Sequence, residues 1–278
     1  MVGLAPIEVN GVARFAPGLC LFCRSAPPHP PQGTMERFWH SLRSRPAEHP
    51  AARKDSKMER ARLLISSRNY SSWSLRGFLI ARLAGLDFEV ERVDLDDPAA
   101  RAELLMRASS TRIPCLLHEG LRIWDTTAIA AHLHEAFPEA GMLPTDRAAR
   151  ARCRSISGEM HAGFQALRAS LPMNLRAHRP GFRVWAGPQA DIDRILFIWR
   201  DCLETWRGPW LFGSRPSVAD AMYAPVVTRL LTYDVPLAGA CAAYAGRIME
   251  WAPMAEWLAA AQEEPEPDIH ELEVEAEF

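Results

Sequence analysis

Long apolar segments, grouped cysteines and a large net charge are all absent from this sequence of 278 residues. No apolar run approaches the roughly 20 residues that a membrane-spanning helix requires, and residues 2–4 are too short for the apolar core of a signal peptide. Six scattered cysteines form no disulfide framework and fit a reducing compartment. A net charge of −2 indicates neither a nucleic-acid nor an anionic-membrane partner. These absences predict a cytoplasmic protein.

Both ends of the chain differ in composition from its middle. Residues 1–58 contain CRSAPPHPPQG and SRPAEHPAARKDSK, which have no strand or helix period, so we predict a disordered extension; an organellar transit segment is the alternative. Cys20 and Cys23 have the spacing of a redox or zinc pair, but no strand precedes them and no second pair follows, which favours chance. Residues 263–278 carry eight acids and no Lys or Arg, which predicts a solvated tail.

The middle of the chain contains two regions with different periodicities. Residues 61–138 read as β-α-β-α-β-β-α: RLLIS is a short buried strand, Pro98 begins the second helix, and HEG turns between IPCLL and LRIW. Residues 147–262 are helical throughout, with one long helix over residues 153–171, a second over residues 192–206, a third that begins at a Ser217–Asp220 capping box, and two shorter ones. The predicted fold class is α/β followed by all-α.

The turn between the first strand and the first helix is rich in hydroxyls. Its sequence NYSSWSLR covers residues 69–76. A helix N-terminus leaves backbone N–H groups unpaired and carries a partial positive charge, so this turn can hold an anionic ligand. One serine suffices as the N-cap, and Ser72 or Ser74 would serve. That explanation leaves Ser71 without a structural role.

Two further turns of the α/β region carry candidate binding residues. If the peptide bond before Pro114 is cis, the backbone of Ile113 faces an extended ligand; an ordinary edge-strand proline is an equal alternative. Asp125 or Thr126 caps the third helix, whose N-terminus would attract a carboxylate, while Asp125 could take an ammonium group. A plain helix cap explains these two residues equally well.

Four motifs in the same order and spacing resemble the soluble glutathione transferases, nearest the serine-type zeta class that includes maleylacetoacetate isomerases. They are NYSSWSLRGFL, RIPCLL, IWDTTAIAAHL and SVADAMYAP, and the resemblance covers residues 63–262. It implies a thioredoxin-like N-terminal domain over residues 61–138, an all-helical C-terminal domain over residues 147–262, and a homodimer. It also implies glutathione as co-substrate, a small electrophile as second substrate, a role in detoxification, and no metal.

The zeta pattern Ser-Ser-Cys-Ser-x-Arg falls on residues 71–76. The resemblance implies that Ser71 is the catalytic hydroxyl, with Ser72 as its rival. Ile113 and Pro114 stand where the family holds the cysteinyl backbone of glutathione, and residues 125 and 126 stand where it holds the γ-glutamyl end. The full set implied to bind glutathione is Ser74, Arg76, Arg112, Ile113, Pro114, Asp125 and Thr126. The chain departs from the family in having Trp73 in place of cysteine and Asp125 in place of Glu or Gln.

The electrophile is expected between the two domains, along the helix that follows the linker. The apolar candidates there would equally suit the core, and the polar ones an exposed helix face. If the two arginines line the cleft, an anionic electrophile is favoured. The candidates are Met160, His161, Phe164, Arg168, Asn174 and Arg176.

The leading functional prediction is a glutathione transferase in which Ser71 donates a hydrogen bond to the thiol. No His–acid pair lies near Ser71 in sequence to make it a nucleophile. A maleylacetoacetate-type cis–trans isomerase and a non-catalytic glutathione-transferase-like binding protein are the alternatives. A thiol-disulfide oxidoreductase is disfavoured because the first helix turn has no cysteine and Cys115 reads as a buried strand residue.

Overall fold

The computed structural model describes residues 60–265. The predicted extension over residues 1–58, including Cys20 and Cys23, and the tail beyond Pro265 lie outside the described residues. The α/β region has the predicted order of elements. They are β1 Ala61–Ile65, α1 Ser72–Leu83, β2 Phe88–Arg92, α2 Pro98–Ala108, β3 Cys115–His118, β4 Leu121–Ile123 and α3 Thr126–Ala136.

A four-stranded mixed sheet forms the centre of the N-terminal domain. Its strand order is β2-β1-β3-β4, with β1 parallel to β2 and antiparallel to β3. Leu63, Leu64 and Ile65 have no exposed surface, as expected for a short apolar strand covered on both faces. The hairpin between β3 and β4 turns at Glu119 and Gly120, where φ is 51° and 76°. This topology confirms the predicted thioredoxin-like domain.

The C-terminal domain is helical, as predicted. Its elements are α4 Arg147–Ala162, α5 Gln165–Ser170, α6 Ala186–Trp206, α7 Val218–Thr232, α8 Gly239–Met249 and α9 Ala252–Gln262, and a short 3₁₀ turn at Pro138–Ala140 follows α3. Within residues 60–265, no helix is long and apolar enough to cross a membrane.

The predicted single helix over residues 153–171 is wrong, because the chain breaks between α4 and α5. Phe164 adopts a left-handed backbone with φ of 60°. At Gly163 an added Cβ would lie 2.7 Å from the carbonyl oxygen of Glu159, so the break needs glycine. Met160 and Leu167 are both fully buried on either side of it. The apolar spacing therefore continues across the break and hides it.

Helix α7 begins at the predicted capping box and runs through the core. The carboxylate of Asp220 accepts hydrogen bonds from the backbone N–H of Ser217 (2.7 Å) and of Leu211 (3.1 Å), and from the Tyr244 hydroxyl (3.1 Å). Burial raises the pKa of Asp220. Because α7 packs against both α1 and α4, this fixed N-terminus holds the helical domain against the N-terminal domain.

Candidate active site

A cavity of about 740 Å³ lies where the three turns of the N-terminal domain face α4, α5 and α7. The structure brings together there most of the predicted site residues. Those that line the cavity are Ser71, Ser72, Arg112, Ile113, Pro114, Asp125, Thr126, His161, Arg168 and Asn174.

Each serine of the first turn has a defined hydrogen-bond partner. Ser71, not Ser72 or Ser74, is the N-cap of α1, because its backbone is extended (φ −82°, ψ 99°) and its Oγ accepts the N–H of Ser74 at 3.2 Å. The Oγ of Ser72 accepts from the Arg76 guanidinium at 3.2 Å. The Oγ of Ser74 accepts from the N–H of Ser66 at 3.2 Å. The prediction that Ser71 has no structural role is therefore wrong.

Arg76 lies beneath the cavity and not in its wall. The side chain has no exposed surface, and its Nε donates to the carbonyl of Met222 in α7 at 2.8 Å. Burial, followed by repulsion from Arg229 and Arg168, lowers its pKa well below the usual value. The residue thus links Ser72 to the helical domain.

In the second turn the peptide bond between Ile113 and Pro114 is cis, which is the first of the two alternatives that the sequence left open. Both residues line the cavity. The alternative of an edge-strand proline is wrong, because Pro114 precedes β3, which lies between β1 and β4. Helix α1 packs directly on this proline, since a Cβ at Gly77 would lie 2.7 Å from the Pro114 Cγ.

In the third turn, Asp125 caps α3 and also contacts α4. Its Oδ1 accepts the N–H of Thr127 at 2.9 Å, and its Oδ2 lies 3.2 Å from Nε2 of His161. Burial alone would raise the pKa of Asp125, but the hydrogen bonds from Thr127 and the neighbouring His161 outweigh burial and lower it. His161 Nδ1 also lies 3.4 Å from Oγ1 of Thr126. His161, predicted for the electrophile, therefore lies beside the turn predicted for the γ-glutamyl group.

The cavity wall carries more positive than negative charge. Two acids, Asp96 and Asp125, face a larger number of guanidinium groups. A concave surface of this kind attracts an anionic ligand, and an arginine can bind a carboxylate through two hydrogen bonds. The arginines that line it are Arg101, Arg112, Arg168, Arg179 and Arg229, of which the sequence analysis singled out two.

Five predicted site residues are not among those that line the cavity. Met160 and Phe164 are buried in the core, as the alternative reading of the helical pattern had it. Arg176 turns away and donates from Nε (2.9 Å) and Nη2 (2.6 Å) to the carbonyl of Ala261 at the end of α9. The remaining two residues, Ser74 and Arg76, do not line the cavity because their side chains are fully buried.

One residue that the sequence analysis placed in the solvated tail over residues 263–278 is instead buried, and it fixes the loop ahead of the serine turn. The buried carboxylate of Glu264 accepts, at Oε2, the backbone N–H of Arg68 (2.7 Å) and Asn69 (2.8 Å) and the hydroxyl of Ser67 (3.1 Å). Its Oε1 lies 3.2 Å from Nε of Arg92. No local pattern predicts this contact, because 195 residues separate Glu264 from Asn69.

A thioredoxin-like domain joined to an all-helical domain across such a cavity is the architecture of glutathione-dependent transferases. Family models make the same assignment: "Glutathione S-transferase, N-terminal domain" matches residues 70–136, and "Glutathione S-transferase, C-terminal domain" matches residues 161–260. The two matches together cover more than half of the chain. The chain belongs to the glutathione S-transferase family, and the zeta-like resemblance of its motifs is confirmed.

Similar proteins include both transferases and isomerases by name. The chain is 25% identical over 171 residues to a "Probable maleylacetoacetate isomerase" of Caenorhabditis elegans, covering 61% of this chain and 78% of that protein. It is 27% identical over 181 residues to "Glutathione S-transferase 1" of Dianthus caryophyllus, covering 64% and 81%. A solved glutathione transferase homologue from Burkholderia, with bound glutathione, shares the fold at 22% identity and a TM-score of 0.57, covering 74% and 99%.

Proposed function

We propose that the protein catalyses the attack of glutathione on a small electrophile, with Ser71 as the hydrogen-bond donor to the sulfur. The observation that carries this proposal is the position of Ser71, which lines the cavity at the N-cap of α1. Its oxygen accepts the Ser74 N–H, and a hydroxyl that accepts one bond still has its O–H to donate. Ser72, whose oxygen accepts from Arg76, is the second candidate for this role.

The expected contribution of Ser71 follows from thiol chemistry. A free thiol titrates near 8.5, so only about 3% is thiolate at neutral pH. One hydroxyl donor and the N-terminus of a helix lower that pKa by about two units, which corresponds to roughly 2.7 kcal/mol. The thiolate fraction then rises to about three quarters, a gain of about twentyfold before any loss of intrinsic nucleophilicity.

The remaining turns suit the rest of glutathione. The carboxylate of Asp125 takes the ammonium of the γ-glutamyl group, and the N-terminus of α3 takes its carboxylate. The backbone of Ile113, at the cavity wall, pairs with the cysteinyl unit. Arg112 and Arg101 supply positive charge for the carboxylate at the other end.

The electrophile occupies the part of the cavity lined by the helical domain. Arg168, Arg179 and Arg229 lie there, which favours an electrophile with a negative charge. The same observation supports a second candidate, a maleylacetoacetate-type isomerase, in which glutathione adds to a double bond, the new single bond rotates, and glutathione leaves. We prefer conjugation to isomerisation as the proposed activity, because Trp73 stands where the zeta pattern has cysteine.

We further propose a homodimer in the cytoplasm with a role in detoxification. Within residues 60–265 the four cysteines, Cys115, Cys153, Cys202 and Cys241, are free and buried, which suits a reducing compartment. Light scattering of the purified protein measures its mass in solution, and a monomeric mass contradicts the dimer.

Ser71→Ala, Ser71→Thr and Ser72→Ala test the assignment of the donor. Ser71→Ala is expected to lower kcat/KM for 1-chloro-2,4-dinitrobenzene near neutral pH by up to about twentyfold, since the hydroxyl supplies part of the lowering of the thiol pKa by about two units. The loss should shrink as pH rises, because glutathione then ionises without help. Ser71→Thr keeps the hydroxyl and should retain most of the activity, and Ser72→Ala should retain the pH profile.

Retention on immobilised glutathione and turnover of maleylacetone complete this test. A wild-type protein that is not retained and forms no conjugate contradicts the proposed function. An activity loss confined to Ser72→Ala assigns the donor to Ser72. Isomerisation of maleylacetone without consumption of glutathione supports the second candidate, and binding without any turnover supports a non-catalytic protein.

A further inference from the structure

One indole ring in the cavity wall contacts two guanidinium groups and an imidazole. Trp73 is the second residue of α1, and its ring centroid lies 4.7 Å from Cζ of Arg76 and 4.6 Å from Cζ of Arg168. The His161 ring lies edge-on at 5.0 Å. Both arginine distances fall inside the roughly 6 Å range of cation–π attraction, for which Trp is the strongest partner among the side chains.

The ring contacts two positive charges that repel each other. The positive charge of Arg168 is one of the causes, after burial and Arg229, that lower the pKa of Arg76. The negative face of the indole attracts both guanidinium groups and offsets part of this repulsion. The Nη1 of Arg168 also donates to the carbonyls of His161 and Gly163, both at 3.4 Å, which is the long end of hydrogen-bond distances. The ring contact adds to these hydrogen bonds as a constraint on where the Arg168 guanidinium lies.

Trp73 also connects the two halves of the site. It follows Ser72, whose hydroxyl is held by Arg76, and its ring contacts Arg168 of α5, which also lines the cavity. Arg76 is buried and fixed to α7 through the Met222 carbonyl, so it cannot easily move. Loss of the indole would remove one of the contacts that hold the Arg168 guanidinium beside Arg76 at the cavity wall.

We propose that Trp73 is a specificity-determining positioning residue: its ring holds the Arg168 guanidinium in the cavity, so that an electrophile with a carboxylate is preferred over a neutral one of the same shape. The inference rests on the proposed function, because it assumes that the cavity takes glutathione and an electrophile together. In the test reaction the thiolate sulfur bonds to the aromatic carbon, chloride leaves with its bonding electrons, and the thiol proton passes to solvent.

The test uses a matched pair of electrophiles, 4-chloro-3,5-dinitrobenzoate and 4-chloro-3,5-dinitrobenzamide, which differ in charge and have nearly the same shape. The ratio of their kcat/KM values, corrected for the uncatalysed rates, measures the preference for the carboxylate. Trp73→Leu is expected to lower this ratio by about 2- to 30-fold, and Trp73→Phe by less, because Phe keeps a weaker cation–π face. Trp206→Leu is the matched control, since Trp206 packs on Phe212 and does not line the cavity.

Arg168→Gln should lower the ratio by at least as much as Trp73→Leu. The double variant should then lose no more than Arg168→Gln alone, because the ring acts through the guanidinium. A ratio unchanged in Trp73→Leu and Trp73→Phe, a loss equal to that in Trp206→Leu, or additive losses in the double variant would each overturn the proposal.

A binding measurement keeps this result separate from the proposed function. The two product conjugates of glutathione, one with a carboxylate and one with a carboxamide, are titrated calorimetrically into each variant. Wild type should bind the carboxylate conjugate more tightly, and Trp73→Leu should lose that difference while it still binds both. If wild type binds neither conjugate, the proposed function is contradicted. If wild type binds both conjugates equally, only the proposed role of Trp73 is overturned.

Discussion

At the scale of single residues, Asp125 combines two tasks in one carboxylate. One oxygen caps α3, through the N–H groups of Thr127 and Ala128 at 2.9 and 3.3 Å. The other oxygen points toward His161 and the cavity. The hydrogen bonds and His161 lower the pKa of Asp125 despite its burial, so the carboxylate is charged at neutral pH. A charged oxygen in the cavity can pair with an ammonium group.

Asp125→Asn is therefore expected to weaken the binding of S-methylglutathione by about 10- to 100-fold, because a charge-assisted bond to the ammonium is lost. The S-methyl group removes any contribution from thiol ionisation. Because the pKa of Asp125 is lowered in the folded protein, its carboxylate is already ionised at the ordinary pKa of an aspartate and at every higher pH. The binding that it contributes is therefore lost only as pH falls through the lowered pKa. Calorimetric titrations from neutral to acidic pH check both expectations.

A glutathione analogue that lacks the γ-glutamyl ammonium is the matched control for Asp125. Wild type and Asp125→Asn should bind this analogue with equal affinity. If the substitution weakens both ligands to the same degree, Asp125 is a helix cap and nothing more.

The sequence predicted which turns form the site better than it predicted which side chains face the ligand. Ser71 and Ser72 line the cavity as expected, but so does Trp73, which the family comparison recorded only as a departure. Arg76 was expected to bind glutathione from the family pattern and Arg176 to bind the electrophile as a polar residue of the helical domain, yet both donate to backbone carbonyls. Whether an arginine points inward depends on a partner carbonyl that lies far away in sequence, and no local spacing reports it.

At the scale of elements, α1 lies very close to the turn before β3, because Gly77 of α1 has no side chain. At position 77, only glycine lets α1 approach Pro114 this closely, because an added Cβ would lie 2.7 and 2.8 Å from the Cγ and Cβ atoms of the proline ring. The same helix carries Ser71 at its N-cap and the same turn carries Ile113. The relative position of these two parts of the proposed glutathione site therefore depends on one glycine.

Gly77→Ala is expected to lower the free energy of unfolding by about 1–3 kcal/mol and to weaken glutathione binding, because Pro114 or α1 must shift. Gly246→Ala is the matched control: it lies in α8, an added Cβ there meets no atom within 4 Å, and alanine is the better helix former. The control should be neutral or more stable by up to about 1 kcal/mol. Urea denaturation and calorimetric titration of glutathione measure the two effects. Equal stability of both variants would show that the close contact is not a constraint.

The limits of element prediction are clearest at the end of α4. The start of α3 and the capping box of α7 followed from local residue types, because capping chemistry is local. The break at Gly163 did not, because the core receives Met160, Phe164 and Leu167 at helical spacing on both sides of it. A glycine alone does not end a helix, and the left-handed Phe164 that follows has no marker in the sequence.

At the scale of the whole molecule, the two domains are joined by polar contacts as well as by the core. The Trp257 indole N–H donates to the carbonyl of Arg68 at 3.0 Å, and the Arg76 guanidinium reaches Met222. The order of strands and helices predicted that both domains exist. It did not predict these links, because each joins residues that are more than a hundred positions apart. The position of the serine turn thus depends on residues at the far end of the chain.

Glu264 provides the sharpest test of this dependence. Its carboxylate accepts three hydrogen bonds from the loop that leads to Ser71, and its side chain is 3% exposed. Glu264→Ala is expected to cost about 2–4 kcal/mol of stability, because the part-buried N–H of Arg68 and the buried N–H of Asn69 lose a charged acceptor. Glutathione affinity should fall with it, because the loop that orients Ser71 is released.

The neighbouring Glu263 supplies the control, since it is the same residue type one position earlier and is exposed. Glu263→Ala should change stability by no more than about 0.5 kcal/mol and leave glutathione binding unchanged. Glu264→Gln keeps one acceptor oxygen and should lie between wild type and Glu264→Ala in both measurements. If Glu264→Ala lowers stability but not glutathione affinity, the contact holds the domains together without orienting the serine turn. An effect of Glu263→Ala as large as that of Glu264→Ala would instead reflect the acidity of this segment, because both substitutions remove one negative charge.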